Sequence, residues 1–199
     1  PCGMVEIKAY KPSTNSLSEG QVLAEPYPYD KARIIVAEMA DSLVFQLTDK
    51  NLVTDGLTLD VGYDRENCDK GSYRGPVHID HYGRSVPKGA HGSTHLGNPT
   101  NLGSRIVTAA VELFDRIVNP SLTVRRITLA ANRVVQDEGI YQFDLFTDTE
   151  KQEKEKNLQK AMLGIKKKYG KNAVLKGTNF LDGATMRDRN RQIGGHKAD

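Results

Sequence analysis

Cysteine is scarce in this chain: Cys2 and Cys68 are the only two among 199 residues. Two thiols do not build a disulfide framework, so the fold has to come from a packed core. Long apolar runs are missing as well. No stretch is long enough to span a bilayer, and no apolar signal core lies near Pro1. The chain therefore reads as soluble and cytoplasmic, with no membrane partner. A uniform basic charge is also missing. The net charge of +3 divides unevenly: 150–199 hold 13 Lys/Arg against 6 Asp/Glu, a net +7, and the preceding residues hold 15 against 19, a net −4. This excludes a nucleic-acid binder that works by overall charge, and leaves local patches as the source of any such contact before the tail. There is no internal repeat, and a chain that opens on Pro1 reads as a fragment or a processed product.

What is present is a run of clear periodicities. Ser16 to Leu23 alternates weakly, as a short strand does, and Pro26-Tyr27-Pro28 then blocks regular structure. Asp30 to Thr48 reads as a helix capped by Asp30, with Ala32, Ile35, Val36, Met39, Leu43 and Leu47 on one stripe and Lys31, Arg33, Glu38 and Asp41 off it. Leu57 to Tyr63 alternates as a half-buried strand, with Thr58, Asp60 and Gly62 on its polar side. Asp64 to Gly89 reads as a long loop or extended hairpin with strand at 76–81, and a further strand follows near Ala90 to Leu96. A second helix, capped by Thr100 or Asn101, runs to about Val118 and ends at Asn119-Pro120. Thr123 to Val134 is the last strand, with Ile127, Leu129 and Ala131 on one face and Arg126, Thr128 and Ala130 on the other.

The implied fold is α+β: a four-stranded sheet with two amphipathic helices packed on one face and the other face polar and open. An extended peptide and a basic helical tail follow. The divisions are a linker at 1–15, a domain at 16–136, a peptide at 137–149 and a helical then irregular tail at 150–199. The tail helix reaches Tyr169, and Lys166-Lys167-Lys168 suit the negative end of its dipole.

Two features stand out against this frame. Arg125 and Arg126 open the last strand, and YQFDLF at 141–146 sits between polar flanks that cannot bury it. With the α+β order they resemble the little finger domain of a Y-family translesion DNA polymerase, followed by the peptide that docks on the sliding clamp. NSLSEGQVL, VTDGLTLDVGYD and TVRRITLAAN match that family's strand segments in character and order. YRGPVHIDHYGR and the ending NRQIGGHKA look like the UmuC-like branch of Gram-positive bacteria. The resemblance covers roughly the whole chain. No segment looks like the palm that holds the catalytic metals, so the resemblance implies the non-catalytic C-terminal part of a polymerase. Mg2+ is then expected only in the parent's palm, and no cofactor and no catalytic residue here.

The resemblance also implies partners: duplex primer–template DNA and the bacterial sliding clamp, with the partner of the tail unknown. Arg125 and Arg126 are the first DNA-contact candidates, because guanidinium forks suit phosphate oxygens. Adjacent strand residues point to opposite faces, so only Arg126 is expected squarely on the open face. Thr58, Ser93, Thr94, His95 and Asn98 offer further neutral or weakly basic donors that position a duplex without reading sequence, while Asp60 interrupts the platform. A solvated arginine pair on an edge strand is the plain alternative. In the clamp peptide, Gln142 would hydrogen-bond at one subsite and Leu145 and Phe146 would fill an apolar pocket. Phe143 stands where leucine is commoner, and Asp144 lies between. The alternative is a peptide folded back on its own domain.

Tyr73, Tyr82 and Arg84 either contact nucleic acid or pin the long loop. His78, His81, His91 and His95, with Cys68, show metal-like spacings, but His78 and His81 would point to opposite faces of a strand, so metal is not favoured. Two other functions stay open at this point. One is a stand-alone nucleic-acid- or clamp-binding adaptor, which RNA preference would favour. The other is a small metal-dependent enzyme, which stoichiometric zinc would favour.

Overall fold

The computed structural model describes residues 15–69, 73–139, 149–193 and 196–197. Strand β1 (Leu17–Tyr27) leads into helix α1 (Tyr29–Asp49) and strand β2 (Leu52–Tyr63). A single helical turn at Glu66–Asp69 precedes a hairpin of β3 (Val77–Ile79) and β4 (Ser85–Pro87). Strand β5 (Ala90–Thr100), helix α2 (Gly103–Ile117) and strand β6 (Val124–Asn132) complete the main body, and β7 (Val135–Gln136) follows at once. Helix α3 (Thr149–Tyr169) then runs into a 3-10 turn at Gly177–Phe180, a helical turn at Met186–Arg189 and the small pair β8 (Gln192–Ile193) and β9 (His196–Lys197).

The fold is α+β, and the main sheet is antiparallel with order β1-β6-β2-β5. It has five strands, not the four that periodicity suggests, because β7 pairs with the start of β2 through Leu52↔Gln136 and Val53↔Val135. Two residues are too few to show a period, which is why β7 is invisible in the sequence.

The core follows from the spacing of apolar residues. Ala32, Ile35, Val36, Met39, Leu43 and Leu47 of α1 are fully buried. They share one cluster with Ile106, Leu113 and Phe114 of α2, Leu57, Leu59 and Val61 of β2, and Ile127, Leu129 and Ala131 of β6. Gly92 fixes how closely α2 approaches β5. A Cβ there would lie 2.9 Å from Ile117 Cγ2 and 3.2 Å from Leu113 Cδ1, so a larger residue would push the helix off the strand.

The helix starts differ from their sequence readings. Helix α1 is capped by extended Pro28, and Asp30 lies inside the first turn, where its charge still complements the free N–H groups. Helix α2 starts after Leu102, whose side chain cannot cap. The missing acceptors come from α3: Gly103 N donates to Gln159 Oε1 at 2.7 Å, and Ser104 N and Oγ donate to the Glu155 carboxylate at 2.6 and 2.7 Å. Gln159 Nε2 in turn donates to Asn101 O at 3.0 Å.

The tail is thus tied to the domain by polar groups. Glu38 does not face solvent as the stripe on α1 implies; it is 2% exposed and accepts Asn179 Nδ2, Thr185 N and Met186 N at 2.7, 2.8 and 3.0 Å. Lys176 reaches Asp41 at 2.6 Å, Lys31 reaches Asp182 at 2.9 Å, and Lys167 pairs with Asp49. The stretch after Lys171 has little regular structure, yet its side chains and backbone are held at several points against α1.

Candidate nucleic-acid interface

The strand registers define the sheet face that the main helices leave uncovered. Val22, Arg126 and Gly62 stand side by side across β1, β6 and β2. The next row is Gly20, Thr128, Asp60 and His91, and the next Ser18, Ala130, Thr58 and Ser93. Asn132, Gly56 and His95 form the last. Arg126, Thr58, Ser93 and His95 therefore share one surface. Thr94 does not: it pairs with buried Leu57 and shares that side of the sheet. Asn98 lies beyond Gly97, where β5 departs from regular pairing between the Gly56↔His95 and Thr54↔Thr100 partners.

Arg125 departs from simple alternation. Tyr63 pairs with Val124 and Gly62 with Arg126, so Arg125 is an extra residue on β6, and β1 shifts register at the same place. Val124 and Ile127 are both fully buried. Two residues therefore bulge between two core anchors. As a result both arginines line one polar groove of about 1080 Å³, together with Asp60, Arg65, His91 and the β3–β4 hairpin. Arg126 is the exposed arginine of the row, as alternation leads one to expect, and Arg125 is half-buried at the bulge beside it. The sequence did carry the signal: Val124 and Ile127 are both apolar but three apart, which unbroken alternation cannot place on one face.

The two guanidiniums differ in freedom. Arg125 Nη1 donates to Ala24 O at 2.9 Å, and its Nε lies 3.8 Å from Asp64 Oδ2. Arg126 is exposed, and its guanidinium has neither a hydrogen bond nor an ion pair among the described residues. Its side chain lies over Gly62, where a Cβ would sit 3.4 Å from Arg126 Cβ and 3.6 Å from Nε. A Cβ on β2 at this point would make ordinary van der Waals contact with the arginine.

The acidic residues of this face are mostly compensated. His91 Nδ1 is 2.6 Å from Asp60 Oδ1. Arg133 Nε donates to both Asp55 oxygens at 2.7 and 2.9 Å, and His95 Nε2 lies 3.6 Å from the same carboxylate. The backbone N–H of Gly97 donates to His95 Nδ1 at 2.9 Å, which leaves Nε2 to carry the ring proton in the neutral form. Thr58 Oγ1 accepts Asn132 Nδ2 at 2.7 Å, so its own hydroxyl proton remains available. An arginine-marked surface with neutral donors, on which Asp55 is paired with Arg133 and Asp60 is hydrogen-bonded to His91, is chemically suited to a polyanion backbone. Among the described residues, no three His, Cys, Asp or Glu side chains come together in a set that could hold a metal, and no helix is long and apolar enough to cross a membrane.

Known proteins supply the context. The family model for the impB/mucB/samB family C-terminal domain matches residues 14–145. The chain belongs to this family. The resemblance to a Y-family polymerase C-terminal region is supported at the level of this family. One curated relative is the "Putative UV-damage repair protein UvrX" of Bacillus subtilis, 24% identical over 185 residues, which are 92% of this chain and 39% of that protein. Another is "DNA polymerase IV 2" of Halalkalibacterium halodurans, 28% identical over 111 residues, 56% of this chain and 26% of that protein. The chain thus spans less than half the length of either relative.

In this member of the impB/mucB/samB family the sheet, both main helices and the arginine bulge lie inside the matched residues, and α3 and the segment after it lie outside. The match to the Bacillus subtilis protein covers 185 residues and so has to extend past residue 145 into that segment. The candidate clamp peptide, Gln142, Phe143, Asp144, Leu145 and Phe146, lies outside the described residues.

Proposed function

We propose that this chain is the DNA-gripping and clamp-tethering C-terminal part of a translesion DNA polymerase that takes part in DNA repair. The observation that carries the reading is the bulge in β6, which turns two adjacent arginines toward one groove on the open face. A polymerase that copies damaged template cannot rely on base identity, and phosphate contacts hold a duplex without reading it. Arg126, without a partner among the described residues, is the primary phosphate contact, and Arg125 supports it from the groove wall. Thr58, Ser93 and His95 extend the same surface along the strands. The peptide at 142–146 tethers the polymerase to the sliding clamp, so that modest DNA affinity suffices once the clamp holds the enzyme on its template. The catalytic metals and their carboxylates belong to the parent's palm.

The test is duplex binding by the 199-residue chain across a salt series. Arg126→Ala should weaken binding to unrelated duplexes alike, and reduce the log–log salt slope by about 0.9. An unchanged affinity and slope would remove the open face from the function.

A further inference from the structure

The hairpin β3–β4 contributes to the groove beside the two arginines. Toward the groove it presents His78, Tyr82, Arg84 and Val86, and of these Tyr82 is a large aromatic side chain that is 77% exposed. Val22, 68% exposed and next to Arg126 on β1, lines the same groove as Tyr82. Exposed apolar side chains beside arginines fit a ligand that has both a flat apolar surface and a negative charge.

The turn that presents Tyr82 is fastened by one residue. Asp80 Oδ1 accepts Tyr82 N and Arg84 N at 2.8 and 2.9 Å, and Asp80 Oδ2 accepts Arg84 Nε at 2.8 Å. Gly83, at φ 75°, donates its N–H to Asp80 O at 3.0 Å and supplies the left-handed residue that the turn needs. Hydrogen bonds from Arg84 hold the Asp80 carboxyl down at about 2, so the fastening stays ionised over the whole neutral range. Arg84 is thereby fixed with its guanidinium carbon 4.7 Å from the centroid of the Tyr82 ring. The ring is backed by a cation, held on a hydrogen-bonded turn and still largely open to solvent.

We propose that Tyr82 is a stacking platform for an unpaired nucleobase, placed where a single strand leaves the duplex held by Arg125 and Arg126. The inference rests on the DNA reading of the open face and adds a second ligand to the same groove. Within a duplex every base face except the outer faces of the two terminal pairs is already stacked on its neighbours, and no base is unpaired, so the platform lacks the ligand it is proposed to bind. An overhang offers a free π-face, and its phosphates remain within the arginine-lined groove. Because every base has such a face, the contact is tolerant of sequence and of damage.

The experiment compares the full chain on a blunt duplex and on the same duplex carrying a 5′ overhang with 2-aminopurine as its first unpaired base. Wild type should bind the overhang DNA more tightly and quench the 2-aminopurine. Tyr82→Ala should lose about fivefold or more on the overhang DNA, lose the quench, and bind the blunt duplex as wild type does. Tyr82→Phe should retain both properties, because it keeps the ring. Equal losses on the two DNAs, no loss on either, or a wild type that shows neither preference nor quench would overturn the proposal. Arg126→Ala should weaken both DNAs; if it leaves the blunt duplex unaffected, the open-face reading fails, and the Tyr82 comparison between the two DNAs is read separately.

Discussion

Asn179 Nδ2 donates to Glu38 Oε1 at 2.7 Å and so fastens the chain's C-terminal segment to the middle of α1. Glu38 is 2% exposed, and its other oxygen accepts two backbone N–H groups, from Thr185 and Met186. A buried carboxylate needs such partners, since leaving it without them is costly.

The first prediction follows from that contact. Asn179→Ala should cost about 1.5–3 kcal/mol, the range for a hydrogen bond to a charged group. Glu38→Gln should also loosen the segment, because it replaces a two-oxygen acceptor with an amide that turns N–H toward N–H. Hydrogen exchange and limited proteolysis should both rise at 172–190 in either variant, while DNA affinity stays as in wild type. Unchanged protection there would mean that Glu38 does not hold the segment.

The second concerns the start of α2. Gln159 and Glu155 supply acceptors that residues local to this helix do not. Gln159→Ala leaves the N–H of Gly103 without its acceptor in a buried position, and should cost about 1–2 kcal/mol. Adding Glu155→Ala should cost less, because the Ser104 bonds are exposed and water can replace them. Ending the chain before α3 should lower the melting temperature at least as much as Gln159→Ala does. A truncated chain as stable as the full one would show that α2 is capped adequately by other means.

Much of this domain can be read from its sequence, and the parts that cannot share a cause. Leu57, Leu59 and Val61, and likewise Ile127, Leu129 and Ala131, alternate in the sequence and are buried in the fold. The stripe on α1 is equally plain. Burial of apolar surface is a property of one segment at a time, so period reveals it. The tail is held mainly by Gln159, Asn179, Glu38 and lysine pairs, whose partners lie 56 to 151 residues away, and polar residues carry no period that would announce them. On the open face, register places Thr58, Ser93 and His95 as alternation predicts, whereas the bulge at Arg125 and the facing glycine at Gly62 depend on pairing between strands.

The third prediction is a pH dependence. The Tyr29 hydroxyl donates to Asp115 Oδ1 at 2.7 Å, and Arg33 Nε donates to the same carboxylate at 2.9 Å, linking α1 to α2. Burial, then the bond to Asp115, pushes the Tyr29 phenol up from 10.0 to about 12. The folded state favours the neutral phenol, so its contribution to stability is complete below the unfolded value near 10 and is lost as pH rises toward about 12. Tyr29→Phe removes the titrating group. Urea titrations at about pH 9 and about pH 11.5 should show a smaller alkaline loss in Tyr29→Phe than in wild type, even if the variant is less stable at the lower pH. Identical losses would mean that Tyr29 ionises in the fold as it does unfolded. Asp115 is lowered by Arg33 first and Tyr29 second, so its contribution is present above the ordinary Asp range and fades as pH falls through its lowered value.

The last prediction concerns the peptide Gln142–Phe146. The described chain resumes at α3 only three residues after Phe146, and α3 is fixed to α2 through Gln159 and Glu155. The described residues that flank the peptide are β7 on one side, paired with Leu52 and Val53, and α3 on the other. Fully burying Leu145 and Phe146 contributes about 1.5–3 kcal/mol each, and a micromolar-class affinity corresponds to about −8 kcal/mol. Leu145→Ala/Phe146→Ala should then lose clamp binding at ordinary concentrations while keeping duplex affinity and melting temperature. Gln142→Ala should cost only about 1 kcal/mol. Calorimetry against the bacterial sliding clamp, with melting curves of each variant, separates the outcomes. A double mutant that binds like wild type would show that these residues are not the tether, and one that melts early would place Leu145 and Phe146 in the domain's own packing.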